Sequence, residues 1–183
     1  MTISWVRLAE AQRSRFAGLS EQERFAYFLA VQCGRSIGDN DDRCGDGAAG
    51  VGVALCAATG IRVHADADRL MREVFTGKNP GSDEIQAAFF VTHKDRTESN
   101  RVARKGSATH VAGVVGRGVV LSFEYPRAVF RTLEELWSLC SLWDYDLRIR
   151  GLDRAALEKS TREGTSLYEA EGSFVEYFEE VAK

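Results

Sequence analysis

Residues 107–126, SATHVAGVVGRGVVLSFEYP, contain the clearest strand-turn-strand pattern in the chain. Two runs rich in β-branched and aromatic residues lie on either side of Gly116-Arg117-Gly118. A short loop bracketed by glycines between two such runs is typical of an antiparallel β-hairpin. We therefore predict a hairpin over 107–126 and take it as the centre of the fold.

A further strand is predicted downstream, at residues 145–150. Tyr145, Leu147 and Ile149 alternate with charged residues, so they lie on one face of an extended segment. We expect this strand to pair with the 107–126 hairpin, because three strands are enough for a stable sheet.

Two capping boxes mark the beginnings of helices. Ser20 and Glu23 precede an apolar run that extends to about Cys33, and Thr132 and Glu135 precede the strongest amphipathic stripe in the chain. That stripe contains Leu133, Leu136, Trp137, Cys140 and Trp143. Large aromatic residues at this spacing usually face a core, so both tryptophans are predicted to be core anchors.

Other segments have weaker helical patterns. Helices are predicted at 3–16, 66–76 and 153–163, and a last one begins at Ser173. Residues 48–59 and 82–93 are open to either a helical or a strand interpretation, and we favour a helix for both. Gly52 in the first of these indicates close approach of another backbone. The sequence thus predicts a single α+β domain over residues 1–183, with several helices packed around a small antiparallel sheet made of the 107–126 hairpin and the 145–150 strand.

Composition indicates a globular protein. Of the 183 residues, 44% are hydrophobic and 28% are charged, which is enough apolar surface for one core. No segment has the roughly 18 to 20 consecutive apolar residues that a membrane helix needs, so we expect no membrane association. The charged N-terminal segment and the scattered cysteines favour a cytoplasmic protein with reduced thiols.

Two acidic clusters resemble metal ligands but have simpler interpretations. Asp39, Asp41 and Asp46 lie in a Gly-rich segment, 34–47, that we expect to be an exposed loop. The glycine and glutamate that an EF-hand loop requires are replaced there by Cys44 and Gly50. In the second cluster, His64, Asp66 and Asp68, helix capping accounts for both aspartates. We predict no metal and no cofactor.

The most basic segment is residues 94–105, which carry five Lys and Arg against two acidic residues. Such a loop is a candidate nucleic-acid site, since cations bind phosphates. The candidate residues are Lys94, Arg96, Arg101, Arg104 and Lys105, flanked by His93 and His110. Two imidazoles beside cations are also compatible with metal-free ribonuclease chemistry, if the two rings converge. The default interpretation of the segment is a solvated loop.

The last third of the chain is acidic. Residues 1–131 hold 18 Lys and Arg against 15 Asp and Glu, whereas residues 132–183 hold 6 against 12. An acidic surface complements a basic protein. We therefore expect a protein-binding module of the inhibitor, immunity, antidote or adaptor type, with an acidic C-terminal surface that contacts a basic partner. The candidate contact residues are Glu176, Glu179, Glu180 and Tyr168. Nucleic-acid binding or ribonuclease activity at 94–105 is the alternative, and whether the protein is an enzyme is left open.

Overall fold

The computed structural model describes residues 15–37, 43–61, 63, 66–98 and 101–162. Within them, the helices are α1 (Glu21–Ala30), α2 (Arg43–Thr59), α3 (an α-helical turn, Ala67–Arg69, that continues as a π-helical turn, Leu70–Val74), α4 (Leu133–Leu142) and α5 (Arg154–Arg162). The strands are β1 (Gly77–Lys78), β2 (Gln86–Thr92), β3 (Arg96–Glu98), β4 (Arg101–Ala103), β5 (Ala108–Gly116), β6 (Val119–Phe123), β7 (Ala128–Thr132) and β8 (Tyr145–Gly151). The predicted α+β class is confirmed. The predicted helix at 3–16 and the helix beginning at Ser173 fall almost entirely outside the described residues.

The main sheet has six antiparallel strands in the order β1-β8-β2-β5-β6-β7. The predicted hairpin is confirmed as β5 and β6. Its two turn residues, Arg117 and Gly118, have φ angles of 49° and 76°. Positive φ at both central positions is the backbone of a type I′ turn, whose twist matches that of the strands it joins.

The predicted helix at 82–93 is wrong, because residues Gln86–Thr92 form β2 in the middle of the sheet. All of β2 after Gln86 is buried, with helices over both faces of the sheet. A strand that is buried on both faces has no polar alternation, so its apolar residues also fit a helical face.

Because β2 is a strand, the sheet differs from the predicted one in its pairing and its width. We expected the 145–150 strand to pair with the hairpin, but β8 pairs with β2, where Phe90 lies opposite Leu147 and Thr92 lies opposite Tyr145. β2 in turn pairs with β5. The sheet is therefore twice as wide as the three-stranded sheet predicted from the sequence.

The two faces of the sheet carry cores of different size. Ala87, Phe89 and Val91 of β2 belong to the larger core, with buried residues of α1, α2, α3 and α5. Ala88 and Phe90 point to the opposite face, where α4 contributes Leu136 and Cys140. One face is thus covered by four helices and the other by α4 alone, among the described elements.

The Gly- and Ala-rich segment is helical, as predicted, and it packs tightly. A Cβ atom added to Gly50 of α2 would lie 2.1 Å from the Phe123 ring, and one added to Gly52 would lie 3.0 Å from the carbonyl oxygen of Val63. Both glycines therefore permit close approach, as expected for Gly52. The helix begins at Arg43, however, so the prediction that the whole of 34–47 is an exposed loop is wrong.

Both capping boxes are confirmed. Ser20 accepts a hydrogen bond from the backbone of Glu23, and Thr132 accepts one from the backbone of Glu135. In each case the glutamate carboxylate accepts the capping residue's backbone N–H, at 2.7 Å. These reciprocal bonds satisfy donors that the first turn of a helix leaves unpaired.

Candidate partner-binding surface

The outer side of α4 exposes large apolar side chains. Trp137 is 66% exposed, Leu142 is 76% exposed, and Trp143, which follows the helix, is 46% exposed. The predicted burial of both tryptophans is therefore wrong. Leu136 and Cys140, four residues apart, occupy the line that faces the sheet, while Trp137 lies about 100° farther round the helix.

A groove of about 680 Å³ runs between α4 and β8. Leu133 and Trp137 of α4 and Tyr145, Leu147 and Ile149 of β8 give it apolar walls. Its two charged lining residues are Glu134 and Asp146, both acidic. The remaining lining residues are Asn79, Pro80 and Gln86. The groove is thus lined mainly by apolar side chains, and both of its charged lining residues are acidic.

The strand that borders this groove has an open edge. β1 pairs only with Gly151 and Arg150 of β8. In the part of the chain that the structure describes, no strand pairs with Asp146–Ile149 on the side away from β2. This part of β8 is therefore an edge of the described sheet.

The basic segment forms a two-stranded ribbon, β3 and β4, and two of its five cations are bound by one carboxylate. Asp144 accepts from Lys94 Nζ at 2.7 Å and from Arg96 Nη2 at 3.0 Å. These hydrogen bonds, that of Lys94 foremost, hold the pKa of Asp144 below its ordinary value. Arg96 also donates to the Trp143 carbonyl oxygen at 2.9 Å and lies 4.5 Å over the Tyr145 ring. The ribbon is therefore fastened to the start of β8.

The other cations of this segment surround the same ribbon. Arg104 and Lys105 have exposed side chains, and the side chain of Arg101 lies outside the described part of the structure. The backbone N–H of Lys105 donates to Asp95 at 2.8 Å, and the Arg104 carbonyl oxygen accepts from the Thr92 hydroxyl at 2.7 Å. These bonds fix the loop through its backbone and leave the Arg104 and Lys105 side chains at the surface.

The two histidines of the ribonuclease hypothesis have different neighbours. His93 lies with Nδ1 3.2 Å from Asp146 and Nε2 3.7 Å from Asp144. His110 packs its ring against Phe90, with the ring centroids 5.0 Å apart. Burial lowers the pKa of His110 to about 4, against an opposing effect of Glu124. At neutral pH this imidazole is uncharged, so it lacks the acidic imidazolium proton that a general acid donates.

The two acidic clusters that resemble metal ligands are only partly described by the structure. The aspartates that it describes have other roles. Asp66 caps α3 by accepting from the Arg69 backbone at 2.8 Å, which confirms the capping interpretation for Asp66 but not for Asp68. Asp68 accepts from the Ala108 backbone at 2.8 Å and pairs with Arg72. Over the described residues, no group of three or more His, Cys, Asp or Glu is arranged to hold a metal ion. The positions of His64, Asp39 and Asp41 and the side chain of Asp46 lie outside that part of the structure.

The acidic C-terminal candidates, Glu176, Glu179, Glu180 and Tyr168, also lie outside the described residues. The sequence did not identify the groove residues Trp137, Leu147 and Ile149 as a site, because apolar residues at helix or strand spacing fit a core equally well. Among the described helices, none is long and apolar enough to cross a bilayer.

Comparison of the chain with models of protein families, with curated proteins and with solved structures found no match.

Proposed function

We propose that this protein is a non-catalytic, cytoplasmic protein-binding module of the inhibitor, immunity, antidote or adaptor type, and that it holds a basic partner through an acidic surface. The observation that carries the proposal is the exposure of Trp137 and Trp143 beside a groove whose charged lining residues are both acidic. Tryptophan is the residue type most enriched among interface hot spots, together with Tyr and Arg.

The energetic reason is the apolar area that these side chains leave in water. Burying a large apolar side chain completely is worth about 1.5–3 kcal/mol relative to exposure. Trp137 lies in the middle of α4 and Leu142 and Trp143 at its end, within seven residues of one another, so a single partner surface can cover more than one of them. Scattered exposed apolar residues are ordinary on proteins, whereas a cluster beside a groove favours an interface.

The nucleic-acid alternative has less support. Asp144 forms salt bridges with Lys94 and Arg96. Its negative charge lowers the net positive charge that the 94–105 segment offers to a phosphate backbone. The ribonuclease version depends on a protonated histidine, and burial disfavours the protonated form of His110. Lys94 and Arg96 are better explained as holding the β3–β4 ribbon in place, and His110 as packing on the face of the sheet.

The test is affinity capture from the lysate of the native host, with and without nuclease treatment, followed by identification of the captured proteins. We expect one basic protein to be retained whether or not nuclease is added. Replacement of Trp143 by Ala, and separately of Glu176, Glu179 and Glu180 by Lys, is expected to reduce that retention without unfolding the protein.

The matched control is Val102→Ala, since Val102 is 69% exposed but lies on the β3–β4 ribbon. It should leave capture unchanged. Retention that disappears on nuclease treatment would contradict the proposal and move the site to the basic ribbon. There, Arg101→Glu with Arg104→Glu should abolish the retention of nucleic acid.

A further inference from the structure

The side of α4 that points away from the sheet carries a large apolar residue on each flank. At about 100° per residue, Ser138 and Ser141 lie on the side opposite the line that faces the sheet, and Trp137 and Leu142 lie to the two sides of these serines. All four side chains are exposed. Trp137 and Leu142 therefore leave apolar surface in water on both flanks of one helix.

A second copy of α4 can cover both flanks at once. Packed helices lie about 8–10 Å apart, and small side chains in the middle of the contact permit the shorter distances. Consider two α4 helices that lie antiparallel, with the centre of the contact between Ser138 and Ser141. The two Trp137 side chains then lie on one flank of the contact and the two Leu142 side chains on the other. Such a two-fold contact uses the same surface on both copies.

The two ends of α4 differ in charge. The first turn carries Glu134 and Glu135, both exposed. The last turn adjoins the basic segment, because Arg96 donates to the Trp143 carbonyl oxygen at 2.9 Å. Among the described side chains of residues 94–105 and Asp144, four are cationic and two are anionic: Lys94, Arg96, Arg104, Lys105, Asp95 and Asp144. The helix thus begins at an acidic end and finishes at a basic one.

Charge determines how two such helices are oriented. A parallel pair would place Glu134 of one copy beside Glu134 of the other, and the two basic segments beside each other. In the antiparallel pair, Glu134 and Glu135 lie level with residues 144–145 of the second copy, where Lys94 is held 2.7 Å from Asp144. Opposite charges then meet at both ends of the contact, which favours the antiparallel orientation.

The exposed area indicates a weak dimer. Aromatic side chains bury about 150–250 Å² each, so Trp137, 66% exposed, offers about 100–165 Å². The ten residues of α4 form a contact surface only about 15 Å long and 10–12 Å wide. Two copies joined there bury less than the roughly 1,200 Å² in total that stable interfaces need, which is typical of transient complexes.

We propose that two copies of this chain associate through antiparallel α4 helices, with Trp137 and Leu142 on the flanks of the contact and Glu134 beside the basic segment of the other copy. This inference goes beyond the proposed function, because it concerns the protein without its partner. The second copy covers Trp137, so a basic partner that contacts Trp137 displaces it.

The test is sedimentation velocity of the purified full chain at concentrations from about 1 to about 500 μM, the range in which weak interfaces associate. We expect the mean sedimentation coefficient to rise with concentration and to fit an equilibrium between monomer and dimer. Raising the salt concentration from about 50 to about 300 mM should weaken the dimer at least threefold, because salt screens exposed charges.

Two pairs of variants locate the contact. Ser141→Arg should weaken the dimer at least tenfold, because it places a long charged side chain at the centre of the contact. Its control is Ser36→Arg, an exposed serine in the segment before α2. Glu134→Lys should weaken the dimer at least fivefold, and its control is Glu73→Lys on α3, on the other face of the sheet. Both controls should change it less than twofold, and circular dichroism checks that all four variants are folded.

Three outcomes would overturn the inference. A chain that stays monomeric over the whole concentration range would leave α4 to a partner alone. A dimer that survives Ser141→Arg undiminished would lie on another surface. A dimer that strengthens as salt is added would have like charges side by side, which excludes the antiparallel orientation. None of these results bears on capture of a basic protein from the host lysate, so the proposed function stands or fails separately.

Discussion

The clearest test of how α4 lies on the sheet compares its two neighbouring residues Leu136 and Trp137. Leu136 is fully buried, so Leu136→Ala removes a side chain from the smaller core and leaves a cavity. Substitutions of this kind cost about 2–5 kcal/mol. Trp137 is 66% exposed, so only about a third of it is covered. A fully buried Trp→Ala change costs about 3–5 kcal/mol, and a third of that is about 1–1.7 kcal/mol.

The assay is urea unfolding of the wild type and both variants, followed by far-UV circular dichroism and fitted with a common slope. We expect Leu136→Ala to lower the free energy of unfolding more than Trp137→Ala, although it removes the smaller side chain. Leu142→Ala, 76% exposed on the same helix, is the control and should remain within about 0.5 kcal/mol of wild type. The reverse order, with Trp137→Ala the more damaging, would refute this orientation of α4 and return Trp137 to the core.

Two further predictions concern a helix cap and a partly buried histidine. Thr132→Ala should destabilise the protein by about 1 kcal/mol in the same urea assay, because it removes the acceptor for the Glu135 backbone N–H; Ser138→Ala, an exposed position on α4, should cost less. For His110, the folded-state pKa of about 4 lies below the ordinary 6.5, so the unfolded chain binds more protons between these values. Stability should therefore fall as the pH drops from 6.5 towards 4, and His110→Gln should flatten the dependence of the urea midpoint on pH over that range. A His110→Gln protein with the wild-type slope would contradict the assigned burial effect.

Much of the fold could be predicted because its signals are local. A capping box requires two polar residues at a fixed spacing, and a type I′ turn requires residues that tolerate positive φ, so the start of α4 and the β5–β6 hairpin are both visible in the sequence. No local sequence signal identifies β2 as a strand. Ala87–Val91 is apolar throughout, and only the strands on both sides and the helices above and below it determine that it is extended.

The site was harder to predict for a related reason. Leu136 and Trp137 are both apolar and adjacent, and the sequence does not state which of them faces the sheet. The packing of the smaller core determines it: Leu136 and Cys140 belong to that core together with residues of β2, β5 and β6, whereas Trp137 lines the groove beside β8. The basic segment was easy to find, but the bonds from Lys94 and Arg96 to Asp144 join positions about 50 residues apart.

The unequal covering of the sheet explains why an interface is expected on the α4 side. Four helices bury the larger core, so Phe89, Val111 and Phe123 have no accessible surface left to offer a partner. Among the described elements, α4 is the single helix on the other face, and it leaves Leu147 and Ile149 of β8 only partly buried. Apolar side chains on that face therefore remain accessible beside the exposed Trp137, where a partner can contact them.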